Sequence, residues 1–242
     1  MSEKWLTGRV IENRHWTETL FSLRVEGVRL SFQAGQFVRI ALEIDGQRVA
    51  RAFSFVNPAD DPVLEFYGVI VPEGPLSPRL AKLKAGDALY VAQNPAGFLV
   101  LSEVPDAETL WLVATGTGLA PFLSILRTEA PWRRFKNVVL VHAVRYANEL
   151  TYKEVIRRTA VRYVTFVSRE PVPGALAGRI PAAIADGRLE SAAGLPLTPQ
   201  SSHVMLCGNP QMLRDAAAAL AARGMRKHRR RAPGHITVES FW

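Results

Sequence analysis

Four short stretches carry residue types at spacings that could do chemistry. In Gly116-Thr-Gly-Leu-Ala-Pro121, two glycines break an apolar run and precede a helical pattern at Phe122, Ile125 and Leu126. Strand, glycine turn, helix is an arrangement that leaves backbone N–H groups free to face a phosphate. The turn is weak evidence alone, because Pro121 stands where G-x-G-x-x-G would carry its third glycine. Ser168, Arg169 and Arg179, with Arg145 nearby, offer hydroxyl and guanidinium donors where a dinucleotide site that prefers a 2′-phosphate needs them. Any one of these arginines also fits a solvated loop charge. In Arg51-Ala-Phe-Ser54, strand alternation puts Arg51 and Phe53 on one face and Ser54 on the other. A cation beside a flat ring suits a ligand with both a phosphate and a ring system. An ordinary strand with a surface Arg and a core Phe fits as well, and is favoured when the tetrapeptide stands alone. Cys207-Gly-Asn-Pro210 closes the set, although a buried strand Cys needs no function.

The elements that must position these residues change character near residue 102. Before it, strands follow strands: Leu6 to Ile11, Leu20 to Val25, Gln36 to Ile44, then Asp45-Gly46 as a tight turn into Gln47 to Val56. Val63 to Val71, Ala88 to Ala92 and Phe98 to Leu101 continue the series. Ser77 to Leu83 has helical spacing, with Ser77 as N-cap and Pro78 at the first helical position. This half reads as a closed antiparallel β-barrel over residues 1–101. After the central turn, strands alternate with helices. Asn137 to Val144, Val161 to Ser168, His203 to Cys207 and Ile236 to Val238 read as strands. Glu149 to Arg158, Pro181 to Gly187 and Gln211 to Arg223 read as helices. That alternation implies an α/β domain with a mostly parallel, doubly wound sheet over 102–242, whose ligands bind at the carboxyl ends of strands.

Composition sets the limits. At 242 residues, 48% hydrophobic and 21% charged, the chain can build one large or two ordinary globular domains. No apolar run approaches the roughly 20 residues that span a bilayer, and Met1 to Trp5 lacks a signal-peptide layout, so a cytoplasmic location is expected. The single Cys207 excludes an internal disulfide and a cysteine-ligated cluster, and no metal is expected. A net charge of +8 attracts acidic partners without choosing among nucleic acid, lipid and protein. The run Lys227 to Arg231 is a modest nucleic-acid signal, because it lacks interleaved aromatics.

Together, Arg51-Ala-Phe-Ser54, Gly116-Thr-Gly-Leu-Ala-Pro121, Cys207-Gly-Asn-Pro210 and the Val-Glu-Ser-Phe-Trp ending resemble the ferredoxin–NADP⁺ reductase family, bacterial ferredoxin/flavodoxin type. The resemblance spans essentially the whole chain, with the motifs in order. It implies an FAD-binding barrel, an NADP-binding domain and hydride exchange with NADP(H). It assigns Arg51, Ala52, Phe53 and Ser54, then Tyr67, Gly68 and Val69, then Pro75, Leu76 and Ser77 to FAD. Thr117 would touch both cofactors, and Phe241 and Trp242 would pack on the flavin nucleotide. Position 53 is usually Tyr, so Phe53 keeps the ring and drops a hydroxyl. For NADP the resemblance implies Gly116, Thr117, Arg145, Ser168, Arg169, Arg179, Cys207, Gly208 and Asn209. Ser54, Cys207 and Glu239 would flank the nicotinamide as the catalytic set. The implied partner is an acidic ferredoxin or flavodoxin steered by the positive surface, met by a monomer with no stable nucleic-acid or membrane partner. A reductase of the same fold acting on free flavin or a small molecule is the alternative, and a basic nucleic-acid-binding module the remote one.

Overall fold

The chain is described by a computed structural model over residues 4–240. Its first half contains β1 (Trp5–His15), β2 (Leu20–Glu26), β3 (Phe37–Ile44), β4 (Gln47–Ser54), β5 (Leu64–Val69), α1 (Ser77–Leu80) and β6 (Ala88–Ala92). The strands form one antiparallel sheet in the order β4-β3-β6-β1-β2-β5. Its two outer strands meet where Phe55 bridges to Phe66 and the Val56 N–H donates to the Glu65 carbonyl at 2.9 Å. That contact curls the sheet into the expected barrel and protects its edges. Asp45 and Gly46 both take positive φ (51° and 74°), the two-residue turn whose twist matches the flanking strands. Phe21, Leu23, Ile40, Phe55 and Phe66 fill the interior, with Phe32 stacked on Phe55 at 3.8 Å.

Two expectations for this half are corrected. α1 is one turn, not seven residues, and Leu76 rather than Ser77 stands at its N-cap. The Ser77 hydroxyl instead accepts from the Val71 N–H at 2.9 Å, tying the loop after β5. Phe98 to Leu101 is not a strand. The sheet offers it no free edge, and local bonds such as Glu103 N–H to Val100 O form a 3-10 turn over Leu101–Glu103.

The second half runs β7 (Thr109–Thr115), α2 (Ala120–Leu126), α3 (Ala130–Arg134), β8 (Asn137–Val144), α4 (Lys153–Arg157), β9 (Arg162–Val167) and β10 (Leu176–Ala177). It continues with α5 (Ile180–Ala185), α6 (Arg188–Ala193), β11 (Ser202–Gly208), α7 (Pro210–Ala222) and β12 (Ile236–Ser240). The sheet is parallel, in the order β10-β9-β8-β7-β11-β12. From β7 the chain winds first toward β10 and then back toward β12. The reversal falls between β7 and β11, where open α/β sheets form a ligand crevice. β7 is apolar on both faces because both are covered. Leu112 and Ala114 share a cluster with Leu20, Val56 and Tyr67 of the barrel, so the core crosses the join. Trp111 and Val113 face Ile184, Leu213 and Leu220 of the outer helices.

The helix expected over 149–158 is shorter. Tyr152 takes a left-handed φ of 55°, and α4 starts only after it. Its ring is buried at the join, 4.6 Å from that of Trp16, which repays the strained backbone.

Candidate active site

At the reversal point, the ends of β7 and β11 approach closer than side chains allow. Gly116 takes φ +53° to leave the strand. A Cβ on Gly118 would lie 2.6 Å from the Cys207 carbonyl oxygen, and one on Gly208 (φ +131°) would collide with Thr115 Oγ1. That hydroxyl accepts from the Asn209 N–H at 2.9 Å. Asn209 Oδ1 in turn accepts from the Gln211 and Met212 N–H groups, capping α7. Glycine is required here because two backbones must interlock.

A cleft of about 970 Å³ opens beside this junction. Gly116, Thr117, Gly208 and Asn209 line it from the ends of β7 and β11. Arg145, Ser168, Arg169 and Arg179 line it from beyond β8, β9 and β10, on the other side of β7 in the strand order. Val69 enters from β5 of the barrel, together with Thr19 and Leu20 at the start of β2. Eight of the nine residues expected at a dinucleotide thus share one cavity, with cationic groups beyond β8, β9 and β10 and backbone turns after β7 and β11. The ninth, Cys207, is fully buried behind it. Glu149 was not foreseen: its carboxylate accepts from the Arg145 N–H at 2.8 Å and the Tyr146 N–H, shaping the cationic rim.

A second pole lies on the barrel side. Phe37 pairs with Ser54 across β3 and β4 and bridges to Ala96. A Cβ on the next residue, Gly97, would meet Glu239 Oε2 at 2.9 Å and the Phe37 ring at 3.0 Å. Glu239 stands opposite Cys207 in β12. Ser54, Gly97, Glu239 and Cys207 are therefore linked through neighbouring backbone. Among the described residues, Ser54 Oγ and Glu239 Oε1 are buried with no hydrogen-bond partner. Such orphans are costly and call for a ligand group. Burial pushes the Glu239 carboxyl up to about 7, opposed by the Phe98 N–H. Burial also raises the Cys207 thiol, with Glu239 adding to it, so the sulfur is neutral.

Along β4, Arg51 and Ala52 are exposed, Phe53 is half-buried and Ser54 buried. The Phe53 ring sits edge-on to Phe66 at 6.4 Å and against Gly68, where a Cβ would come within 3.0 Å of it. Tyr67 packs instead with Leu112 and Ala114 of β7, its hydroxyl accepting from Thr151 at 2.9 Å. Pro75 is exposed, whereas Leu76 fills the barrel core. Phe241 and Trp242 lie outside the described residues. In the basic run, Arg230 grips Glu103 through Nη2 at 2.6 Å and Nε at 2.9 Å, and covers the exposed Phe98 ring at 4.7 Å.

His142 also escaped sequence reasoning. Its signal was a lone imidazole in the apolar strand Asn137–Val144, which needs a buried partner. The partners are the Gly116 carbonyl at 3.2 Å and the Tyr163 hydroxyl at 3.3 Å.

The family profile described as "Oxidoreductase FAD-binding domain" matches residues 7–99, and "Oxidoreductase NAD-binding domain" matches 112–218. Barrel, parallel sheet and interdomain cleft thus define a two-domain FAD- and nicotinamide-dinucleotide-dependent oxidoreductase. The flavodoxin/ferredoxin–NADP reductases of Shigella flexneri and Escherichia coli are 55% and 54% identical to the chain, each over 98% of it and 99% of their own length. A ferredoxin NADP⁺ reductase from Neisseria gonorrhoeae, solved with bound FAD and NADP, superposes with a TM-score of 0.96 at 32% identity, covering 100% of both chains. The chain belongs to the flavodoxin/ferredoxin–NADP reductase family.

Proposed function

We propose that this protein exchanges electrons between NADP(H) and an acidic one-electron carrier of the flavodoxin or ferredoxin kind, through FAD held on the barrel. The observation that carries the reading is the pairing of an arginine-rimmed cleft with two orphaned buried oxygens across the domain join. FAD, when bound, supplies the conversion between two-electron and one-electron chemistry.

The chain's residues supply position and charge. Arg51 is exposed and suits a phosphate, while Phe53 offers a ring face on the same side of β4. Ser54 Oγ, buried without a partner, offers a hydrogen bond to the flavin ring. Ser77 and the loop it ties suit the flavin phosphates. Arg145, Ser168, Arg169 and Arg179 hold the 2′-phosphate end of NADP, leaving the turn at Gly116 and Thr117 for the other half. Cys207, neutral and buried, excludes water beside the nicotinamide, and Glu239 holds a proton there up to about pH 7. Phe241 and Trp242 are proposed to cover the flavin. The positive surface, Arg229 and Arg231 included, attracts an acidic carrier, and that attraction weakens as salt screens it. Arg230 is committed to Glu103, which argues against a free basic comb for nucleic acid.

Arg169→Ala tests the assignment. It is expected to weaken NADPH by about tenfold or more, as loss of a charge-assisted contact does, and to leave NADH almost unchanged. The measurement is the NADPH and NADH dependence of flavin bleaching in the purified yellow protein. Equal losses for both nucleotides would refute the 2′-phosphate role.

A further inference from the structure

We propose that His142 is a positioning residue for the nucleotide, turning the Thr117 amide N–H toward the cleft by holding the Gly116 carbonyl from behind. The inference rests on the NADP reading of that cleft.

His142 is fully buried on β8, opposite Ala114 of β7 and beneath the central turn. A carbonyl oxygen can only accept, so Nε2 carries the proton and donates to Gly116 O at 3.2 Å. Nδ1 is left with a lone pair and accepts from the Tyr163 hydroxyl at 3.3 Å. The Gly116 carbonyl thereby selects the tautomer, and Tyr163, from the next strand, β9, satisfies the nitrogen left over. Burial lowers the imidazole to about 4, so it stays neutral and keeps this donor–acceptor polarity at neutral pH.

Geometry then carries the effect forward. The Gly116–Thr117 peptide is planar and trans, so its C=O and N–H point in opposite directions. Drawing the carbonyl inward onto His142 points the Thr117 N–H outward, on the side where Gly116 and Thr117 line the cavity. Gly116 takes φ +53° and opens a 3-10 turn over Gly116–Leu119. The His142 hydrogen bond adds a restraint on its carbonyl from behind that turn. A donor held in advance binds an anion or carbonyl without first being ordered.

The role separates from simple core packing because the nucleotide reaches the cleft's two sets of lining residues with different parts. NADP⁺ would meet both the arginine rim and the turn, whereas 2′-phospho-AMP meets only the rim. Binding of each to the FAD-loaded protein is measured by calorimetry in wild type, His142→Leu, His142→Gln and Tyr163→Phe. His142→Leu keeps the volume and loses the donor, and is expected to weaken NADP⁺ by about five- to tenfold, the scale of one hydrogen bond. Its affinity for 2′-phospho-AMP is expected to stay unchanged. His142→Gln, which restores an N–H at similar reach, is expected to recover NADP⁺ binding. Tyr163→Phe provides a gentler variant should the Leu form fail to fold, with a smaller loss confined to NADP⁺. Equal weakening of both ligands, or no loss for NADP⁺, overturns the role of His142. A wild-type protein that binds neither ligand overturns the reading of the cleft itself.

Discussion

Glu239 holds a proton at a pH where water would remove it. Its carboxyl ionises near 4.5 when solvated and near 7 in the fold, because burial next to Gly97 and Cys207 disfavours the charge. A carboxyl raised on folding contributes stability that is full below about pH 4.5 and lost as pH rises through about 7. Glu239→Gln, which cannot ionise, is therefore expected to raise Tm above wild type at pH 8 and to match it at pH 4. It should also flatten the pH dependence of NADPH oxidation near 7. Thermal melts and rates from pH 4 to 9 read both effects. At this scale the sequence was most legible where a residue type has few other uses. Gly116, Gly208, Ser168, Arg169 and Arg179 all reached one cavity. The side-chain directions of Tyr67, Leu76 and His142 were not legible, since a local motif does not reveal which face a side chain takes or what waits behind it.

Elements are bounded by contacts that lie far apart in sequence, which local spacing does not carry. α1 stops after one turn because Asn13, on β1, donates from Nδ2 to the carbonyls of Leu80, Ala81 and Leu83 at 3.3, 3.0 and 2.8 Å. Helical spacing through Leu83 could not anticipate a side chain some seventy residues upstream that claims those acceptors. Asn13→Ala removes the tie and is expected to cost about 1–2 kcal/mol, read as a lower denaturant midpoint at unchanged slope. Phe98 to Leu101 was expected as a strand for a related reason. Its composition suits a strand, but strand formation needs an open edge, and the barrel had closed. The long periodic elements behaved differently. The strand over 137–144 and the helix beginning near 210 emerged within a residue of expectation, because burial on one or both faces writes the period into the chain.

Across the whole molecule, the two halves share hydrogen bonds as well as apolar core. The Trp16 indole donates to Ser22 Oγ at 2.6 Å, Ser22 meets the Tyr152 hydroxyl at 2.5 Å, and Tyr152 donates to Glu65 Oε1 at 2.8 Å. Arg127, leaving α2, reaches Glu65 Oε2 at 3.1 Å, Asp61 at 3.5 Å and the Val56 carbonyl at 3.3 Å. Ser124 donates to Asn57 O at 2.6 Å. Arg127→Ala removes the ion pair of the largely buried Glu65 carboxylate, leaving it the Tyr152 hydroxyl, and is expected to cost about 2 kcal/mol. Because the seam belongs to both halves, they should still unfold in a single calorimetric transition, at lower temperature. An antiparallel sheet followed by a parallel one was legible from the change of strand–helix pattern. The seam was not, since its partners come from β2, β5, α2 and the turn before α4.

The backbone interlock at Gly118 and Gly208 also has a meaning for the cell's thiol chemistry. It seals the chain's only sulfhydryl, Cys207, out of solvent and leaves it neutral. Peroxide, alkylating agents and mixed disulfides all act through an accessible thiolate, and the folded protein presents none. The folded protein is thereby insulated at sulfur from oxidants in its surroundings.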